Sequence, residues 1–239
     1  MTKIQVTEDG SHTLFSEMAG QTYHSAHGAV QESLHIFISQ LSIVNCQQST
    51  VNSQRTTDTG QQLTVNGQLS MVGRNLSVLE IGFGTGLNAL LAACWAKENG
   101  VRVDFSTIEL YPLERDVYEE LNYGSLLGEE GLFLKLHEAK WDAGLQEITP
   151  EFAICKHKKD IVEWLRNAQC TIHNAQSLIL SSGAQGDLEL DFVAKGSKTL
   201  GSQFDVVFFD AFSPDAQPEL WTEEEIGRAS CRERVSLCV

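Results

Sequence analysis

The chain has 239 residues, 42% of them hydrophobic, which is enough for one α/β domain with a buried core. No run reaches the ~20 apolar residues that cross a bilayer, and the first ten residues lack the pattern of a signal peptide, so we expect a cytoplasmic protein. The six cysteines contain no Cys-x-x-Cys pair, which favours free thiols and does not indicate a metal site. The formal net charge of −15 disfavours broad electrostatic attraction to nucleic acid.

Predicted helices and strands alternate along most of the chain. The apolar patterns predict, in order, a helix over Gln31–Ile38, a strand over Ser77–Gly82, a helix over Leu87–Lys97, a strand over Val103–Glu109, a helix over Glu114–Leu121, a strand over Phe152–Lys156, a helix over Asp160–Leu165 and a strand over Phe204–Asp210. This order is typical of parallel βαβ units. It predicts an α/β fold with a Rossmann-like, doubly wound, mostly parallel sheet.

Two polar stretches and the C-terminal end depart from this pattern. Residues 45–72, rich in Gln, Asn, Ser and Thr, and residues 166–203 are interpreted as insertions in a single domain covering 1–225. Back-translation of Ile226–Val235 resembles a common sequencing adapter read in frame. We therefore predict that residues 226–239 are a non-native tail, the alternative being an ordinary amphipathic terminus.

The segment from Val78 to Asn88 carries the strongest local signal, because three glycines follow a buried strand directly and precede a helix. Such glycines allow a tight turn and a close approach of ligand to backbone, and the helix N-terminus favours negative charge. A dinucleotide site needs Gly-x-Gly-x-x-Gly, but Leu87 occupies the third glycine position. The spacing Gly-x-Gly-x-Gly, with Glu80 two residues ahead, resembles the first motif of S-adenosylmethionine-dependent methyltransferases. A plain strand–helix turn is the alternative.

Two carboxylates end strands of the predicted sheet. Glu109 closes the second strand, where an acidic side chain can accept hydrogen bonds from both hydroxyls of a ribose. Asp210 closes the fourth strand, where it could hold an amino group of the cofactor or take a proton from an amine substrate. The alternative for Asp210 is a cap on the following turn.

Four motifs in order resemble the methyltransferase part of the tRNA 5-methylaminomethyl-2-thiouridine biosynthesis proteins. They are Asp9–Glu17, Tyr23–Glu32, Val78–Leu91 and Phe204–Thr222. The resemblance implies methylation of 5-aminomethyl-2-thiouridine at the wobble position of tRNA, with S-adenosylmethionine as the methyl donor. The resemblance also implies tRNA as the substrate and a reaction that requires no metal ion and no membrane.

Site residues are carried over position by position. The resemblance places Glu80, Gly82, Gly84 and Gly86 on the cofactor loop, Glu109 on the ribose acceptor, Asp210 on the active-site Asp, and Tyr23, His24, Ser25 and Gly28 in a motif near the cofactor. For the acid on the adenine side we choose Asp160, with Asp187 as the alternative.

The chain departs from this family at its C-terminal end. The family's sheet continues with three further strands, whereas this chain stops shortly after Trp221. We therefore expect a sheet without its last strands, an exposed edge on strand four and poor activity. Rival interpretations are a truncated, noncatalytic cofactor-binding fragment, an NAD-dependent oxidoreductase, or a methyltransferase of a small molecule or protein, which the acidic charge would suit.

Overall fold

The computed structural model describes residues 2–45, 75–167, 177–180 and 204–221. The predicted insertion at 45–72, most of that at 166–203, and the predicted tail at 226–239 lie outside these residues, so those predictions stand untested.

The N-terminal residues form a small antiparallel sheet followed by a helix. Its strands, β1 (Thr2–Val6), β2 (His12–Ser16) and β3 (Gln21–Thr22), pair in the order β1-β2-β3. Helix α1 (Ala29–Ser33) follows, continues through a π-helical turn (Leu34–Ile38), and remains helical to residue 45. The sequence predicted the helix, but not the sheet before it.

A six-stranded sheet forms the centre of the domain. Its strands are β4 (Asn75–Ile81), β5 (Arg102–Ile108), β6 (Gln146–Thr149), β7 (Phe152–His157), β8 (Ser177–Leu180) and β9 (Val206–Phe209). The order is β6-β7-β5-β4-β9-β8, and only β6 runs antiparallel to its neighbour. The predicted mostly parallel, Rossmann-like α/β sheet is confirmed.

Helices cover both faces of this sheet. They are α2 (Leu87–Asn99), α3 (Arg115–Glu119), α4 (Tyr123–Leu127), α5 (Glu130–Glu138), α6 (Ile161–Asn167) and a 3₁₀ helix (Pro218–Leu220). Helices α1, α2 and α5 bury the larger apolar cluster against one face, and α6 with the 3₁₀ helix covers the other. None of the helices in the described ranges is long and apolar enough to cross a membrane.

Strand four of the prediction, now β9, does not form an exposed edge. Strand β8 pairs with it in parallel register, from Ser177 opposite Val206 to Leu180 opposite Phe209. The expectation of an exposed edge on strand four is therefore wrong. The apolar run Leu178–Leu180 was assigned to an insertion because polar residues and glycines surround it.

A buried lysine supports the central sheet from beneath the glycine loop. Lys156 on β7 is 1% exposed, and its ammonium donates to the carbonyls of Leu136 and His137 at 3.0 and 2.8 Å, in the last turn of α5. The same ammonium lies 4.7 Å from the ring centre of Phe83 and 4.4 Å from that of Trp141. These cation–π contacts and the carbonyl dipoles at the end of α5 stabilise the charge of the ammonium group, which burial disfavours.

Burial lowers the pKa of Lys156 from 10.5 to about 8. Between these values the unfolded chain holds more protons than the folded one, so this lysine makes the free energy of unfolding rise with increasing pH. The rise amounts to about 3 kcal/mol. We predict that Lys156→Met removes it, as measured by urea unfolding across this pH range. Parallel curves for wild type and variant would contradict this, and Lys135→Met, an exposed lysine on α5, serves as the control.

Candidate functional site

A large cleft opens at the carboxyl ends of β4, β5 and β9. Its volume is about 1060 Å³. Its lining includes Ser25 of the N-terminal motif and seven of the predicted catalytic and cofactor-binding residues. These seven are Tyr23, His24, Gly82, Gly84, Glu109, Asp160 and Asp210. Ligands of open α/β sheets bind at this end of the strands, so the cleft is where the fold predicts a site.

The turn after β4 depends on the missing side chain of Gly82. Its φ is +90°, and a Cβ there would lie 2.6 Å from the carbonyl oxygen of Asp210. The amide of Gly82 donates to the carbonyl of Ile108 at 3.0 Å, and the amide of Asp210 donates to the carbonyl of Ile81 at 3.0 Å. Three strand ends therefore meet at Gly82 with no room for a side chain.

Glu109 holds the glycine loop from the side of β5. Its Oε2 accepts from the amide of Gly84 at 3.1 Å, and its Oε1 accepts from the amide of Tyr111 at 2.8 Å. A carboxylate has about four acceptor positions, so two more hydrogen bonds can be accepted from the cleft. The predicted ribose acceptor therefore lies beside the predicted cofactor loop.

Residues from the N-terminal motif pack onto the loop. His24 Nε2 lies 2.8 Å from Thr85 Oγ1, and burial lowers the pKa of His24 to about 4, so its ring is neutral at pH 7. The ring of Tyr23 packs edge-on against Phe212 at 5.0 Å, and burial with the nearby charge of Glu109 raises its pKa to about 12. The N-terminal segment thus forms one wall of the cleft.

Gly28, the remaining residue of that motif, does not line the cleft. A Cβ on Gly28 would lie 2.6 Å from Asp9 Oδ2, and the same carboxylate accepts from the amides of Ser11 and Gln31. Burial raises the pKa of Asp9, but hydrogen bonds, those from Ser11 above all, outweigh it and lower the value to about 2. Gly28 therefore contributes to the fold of the wall.

Asp210 follows β9 directly and points toward α2. Its Oδ2 accepts from Nδ2 of Asn88 at 2.7 Å. The loop after it is fixed by Trp221, whose Nε1 donates to the carbonyl of Phe212 at 2.8 Å and whose ring packs edge-on against Phe209. Asn88 was missed from sequence, although one polar residue in the otherwise apolar start of α2 is a usable signal.

Two predicted cofactor residues do not line the cleft. Glu80 is fully buried behind the loop, where Thr107 donates to its Oε2 at 2.7 Å. Burial raises its pKa well above the usual value. Gly86 precedes α2 and faces the ring of His137.

Asp160, predicted from sequence as the acid on the adenine side, lies at the start of α6. Asp160 lines the cleft, and its Oδ1 caps α6 by accepting from the amide of Glu163 at 2.9 Å. The alternative, Asp187, lies outside the described residues. Among the charged side chains of the described lining, carboxylates outnumber cations: Glu32, Glu109, Asp160, Asp210 and Glu219 accompany Lys159. Within the same residues no cluster of three or more side chains could hold a metal ion.

Comparison with known proteins shows which proteins this chain is similar to. A family model described as S-adenosyl-L-methionine-dependent methyltransferase matches residues 157–232, which include Asp160 and Asp210. Over these residues the chain is similar to the S-adenosyl-L-methionine-dependent methyltransferases. Its cofactor is S-adenosylmethionine.

Two curated relatives are similar to this chain. They are the tRNA 5-methylaminomethyl-2-thiouridine biosynthesis bifunctional proteins MnmC of Leptospira borgpetersenii serovar Hardjo-bovis, strains JB197 and L550. Each is 28% identical over 156 residues, which make up 63% of this chain and 19% of the relative. The chain thus matches about a fifth of the length of these relatives.

A solved structure shares the fold of this chain. It is MNMC2 from Aquifex aeolicus, with a TM-score of 0.55 and 20% sequence identity. The similarity covers 96% of this chain and 55% of that one.

The cleft fits the cofactor. At Gly82 and Gly84 the backbone borders the cavity with no side chain in between. The Glu109 carboxylate also borders the cavity and has acceptor positions that are not used within the protein. The volume of about 1060 Å³ accommodates a nucleoside and its amino-acid side chain with space for a second molecule.

We predict that Gly82→Ala lowers the affinity for S-adenosylhomocysteine at least about tenfold, because the new Cβ meets the Asp210 carbonyl and the loop must shift. Gly100→Ala is the matched control, since Gly100 also has positive φ (+61°) but no atom within 4 Å of its Cβ position. Calorimetric titration measures both affinities. Equal affinities for the two variants would show that the loop does not form the cofactor site.

Proposed function

We propose that this methyltransferase transfers the methyl group of S-adenosylmethionine to the primary amine of 5-aminomethyl-2-thiouridine at the wobble position of tRNA. The observation that carries the proposal is the placement of Asp210 between the glycine loop and the open cleft. The curated relatives act in tRNA 5-methylaminomethyl-2-thiouridine biosynthesis, which supports a precursor of that nucleoside as the substrate. A tRNA-modifying role would place the protein in the cytoplasm.

In this proposal the loop and its neighbours hold the cofactor. The glycine loop receives the methionine end, and Glu109 accepts from the ribose hydroxyls with the positions that Gly84 and Tyr111 leave open. Asp160 faces the adenine. When bound, S-adenosylmethionine supplies an electrophilic methyl group on a positively charged sulfur.

The carboxylates of the cleft suit an amine substrate. Glu109, Asp160 and Asp210 lie along the lining, so a cationic amine is attracted before it reacts. Attack on the methyl group that bound S-adenosylmethionine would supply requires the neutral amine, and S-adenosylhomocysteine would be the leaving group. Asp210 orients the amine and accepts the proton that the nitrogen gives up.

The net charge of −15 must be reconciled with a tRNA substrate. The described lining includes Lys159 as an exposed cation. We propose that contact with the phosphates is local and that the modified base is recognised in the cleft itself. A methyltransferase of a small amine would share the cleft chemistry, and the tRNA assay below separates the two.

Glu109→Ala should weaken S-adenosylhomocysteine binding about 100-fold, because two hydrogen bonds to a charged acceptor are lost. Glu114→Ala removes an exposed carboxylate nearby that does not line the cleft, and should bind as the wild type does. Calorimetry with NAD in place of S-adenosylhomocysteine completes the comparison. Tighter binding of NAD would refute the cofactor assignment.

Asp210→Asn should lower the rate of methyl transfer to undermodified tRNA at least about 100-fold while cofactor affinity changes little, because the proton acceptor is lost. Incorporation of radiolabelled methyl into tRNA measures this. Methylation of small amines with none of tRNA would favour the rival substrate class. Cofactor binding without turnover on either substrate would favour a noncatalytic fragment.

A further inference from the structure

A buried polar row crosses the sheet behind the cleft. Parallel register places Glu80 on β4 beside Thr107 on β5, and Thr107 beside Lys156 on β7. Side chains alternate between faces of a strand, so Glu80 and Thr107 point to the same face as Val78 and Phe105, toward α2. Glu80 has no access to the cofactor from there.

Helix α2 brings Asn88 to the same place. Asn88 is 2% exposed and lies in the first turn, next to Glu80 and with its Nδ2 on the Asp210 carboxylate at 2.7 Å. Two buried atoms at this point have no hydrogen-bond partner among the described residues, Glu80 Oε1 and Asn88 Oδ1. Both are acceptors, and a buried acceptor without a donor is costly.

One proton satisfies both atoms. A neutral carboxyl group on Glu80 keeps its acceptor toward Thr107 and gains an O–H that can donate to Asn88 Oδ1. The surroundings favour that form: burial raises the pKa of Glu80, as do the charges of Asp210 and Glu109, while the hydrogen bond from Thr107 and the nearby amide of Asn88 oppose the shift. Lys156 is in the same row but two strands away, roughly 10 Å, with its ammonium directed to α5.

We propose that Glu80 and Asn88 are positioning residues for Asp210: Glu80, as a neutral acid, fixes the amide of Asn88, and Asn88 holds the Asp210 carboxylate toward the substrate amine. This rests on the proposed function of Asp210. It reassigns Glu80, predicted from sequence as a cofactor ligand, to a role behind the loop. The amide donates to the charged form of Asp210 and so keeps that carboxylate ionised and ready to accept a proton.

The first test concerns the protonation of Glu80 and needs no substrate. Infrared spectroscopy of the full chain at pH 7 should show the carbonyl band of a buried, protonated carboxylic acid, and Glu80→Gln should lack that band. Glu98→Gln, an exposed glutamate on α2, should retain it. Absence of the band from the wild type, or its persistence in Glu80→Gln, would overturn the proposal.

The second test concerns Asp210 itself. Carboxyl ¹³C NMR, with the signal assigned by Asp210→Asn, should show Asp210 titrating at higher pH in Asn88→Ala, because a donor to its charged form is lost. Asn88→Asp keeps the shape of the side chain but replaces the donor by an acceptor, and should shift the titration in the same direction. Glu80→Gln, which can still donate to Asn88, should leave the titration close to that of the wild type. An unchanged titration in both Asn88 variants would overturn the proposal.

Kinetics then separate positioning from a general loss of structure. Asn88→Ala should lower kcat about 10- to 100-fold with little change in KM for the cofactor. The double variant Asn88→Ala/Asp210→Asn should be no slower than Asp210→Asn alone, since both residues act at one point. Asn99→Ala, whose amide donates to the Trp95 carbonyl on the same helix, is the control and should leave kcat unchanged.

The outcomes distinguish the two proposals. Full methyl transfer by Asp210→Asn would refute the function proposed for Asp210, while the infrared and NMR results would still decide whether Glu80 and Asn88 hold it. Suppose that Asp210→Asn is strongly impaired and that Asn88→Ala slows the double variant by the same further factor as it slows the wild type. The function of Asp210 then stands, and its positioning by Asn88 is refuted.

Discussion

The absence of a side chain at Gly82 is the constraint on which the cleft depends. With no Cβ there, the backbone after β4 turns at a positive φ and passes against the carbonyl of Asp210. That close approach lets the ends of β4 and β9 lie side by side, and it brings the carboxylate of Asp210 close to the glycine-lined turn after β4. Any larger residue would separate the two strand ends and with them the two halves of the cleft.

Behind this turn the protein carries an unusual amount of buried polarity. Glu80, Thr107 and Lys156 occupy neighbouring strands on the same face, where apolar residues would pack without any desolvation cost. Each has a nearby role: Lys156 binds the end of α5 and the ring of Phe83, and Glu80 adjoins the amide that holds Asp210. The core close to the site is thus less stable than an apolar core would be, which is common near functional regions.

The sequence was most informative where local pattern and tertiary structure coincide. The buried strands β4, β5, β7 and β9 are short apolar runs followed by a glycine or a polar residue, and their parallel pairing follows from the intervening helices. The N-terminal sheet was missed, because β1 is largely exposed and a mostly polar edge strand gives little hydrophobic signal. Strand β8 was missed because its four residues lie within polar, glycine-containing sequence.

The sequence indicated which residues form the candidate site, but not the contacts that these residues make. Glu109 and Asp210 were found because each ends a strand, and the strand ends define the cleft. Sequence could not show that Glu80 points away from that cleft, because its direction depends on which face of the sheet α2 covers. Nor could it show that His24 would reach Thr85, since that contact joins residues 61 positions apart.

The pairing of β4 with β9 has a consequence for synthesis on the ribosome. The carboxylate of Asp205 accepts from the amide of Ser77 across 128 residues, so the central strand emerges long before its partner. During that interval one edge of β4 is unpaired, and the apolar residues that line it are open to other nascent chains. Glu109 and the glycine loop are translated well before Asp210, so the cleft is completed only after β9 has been synthesised. Molecular chaperones that shield the growing chain would therefore act on this protein mainly between the synthesis of β4 and that of β9.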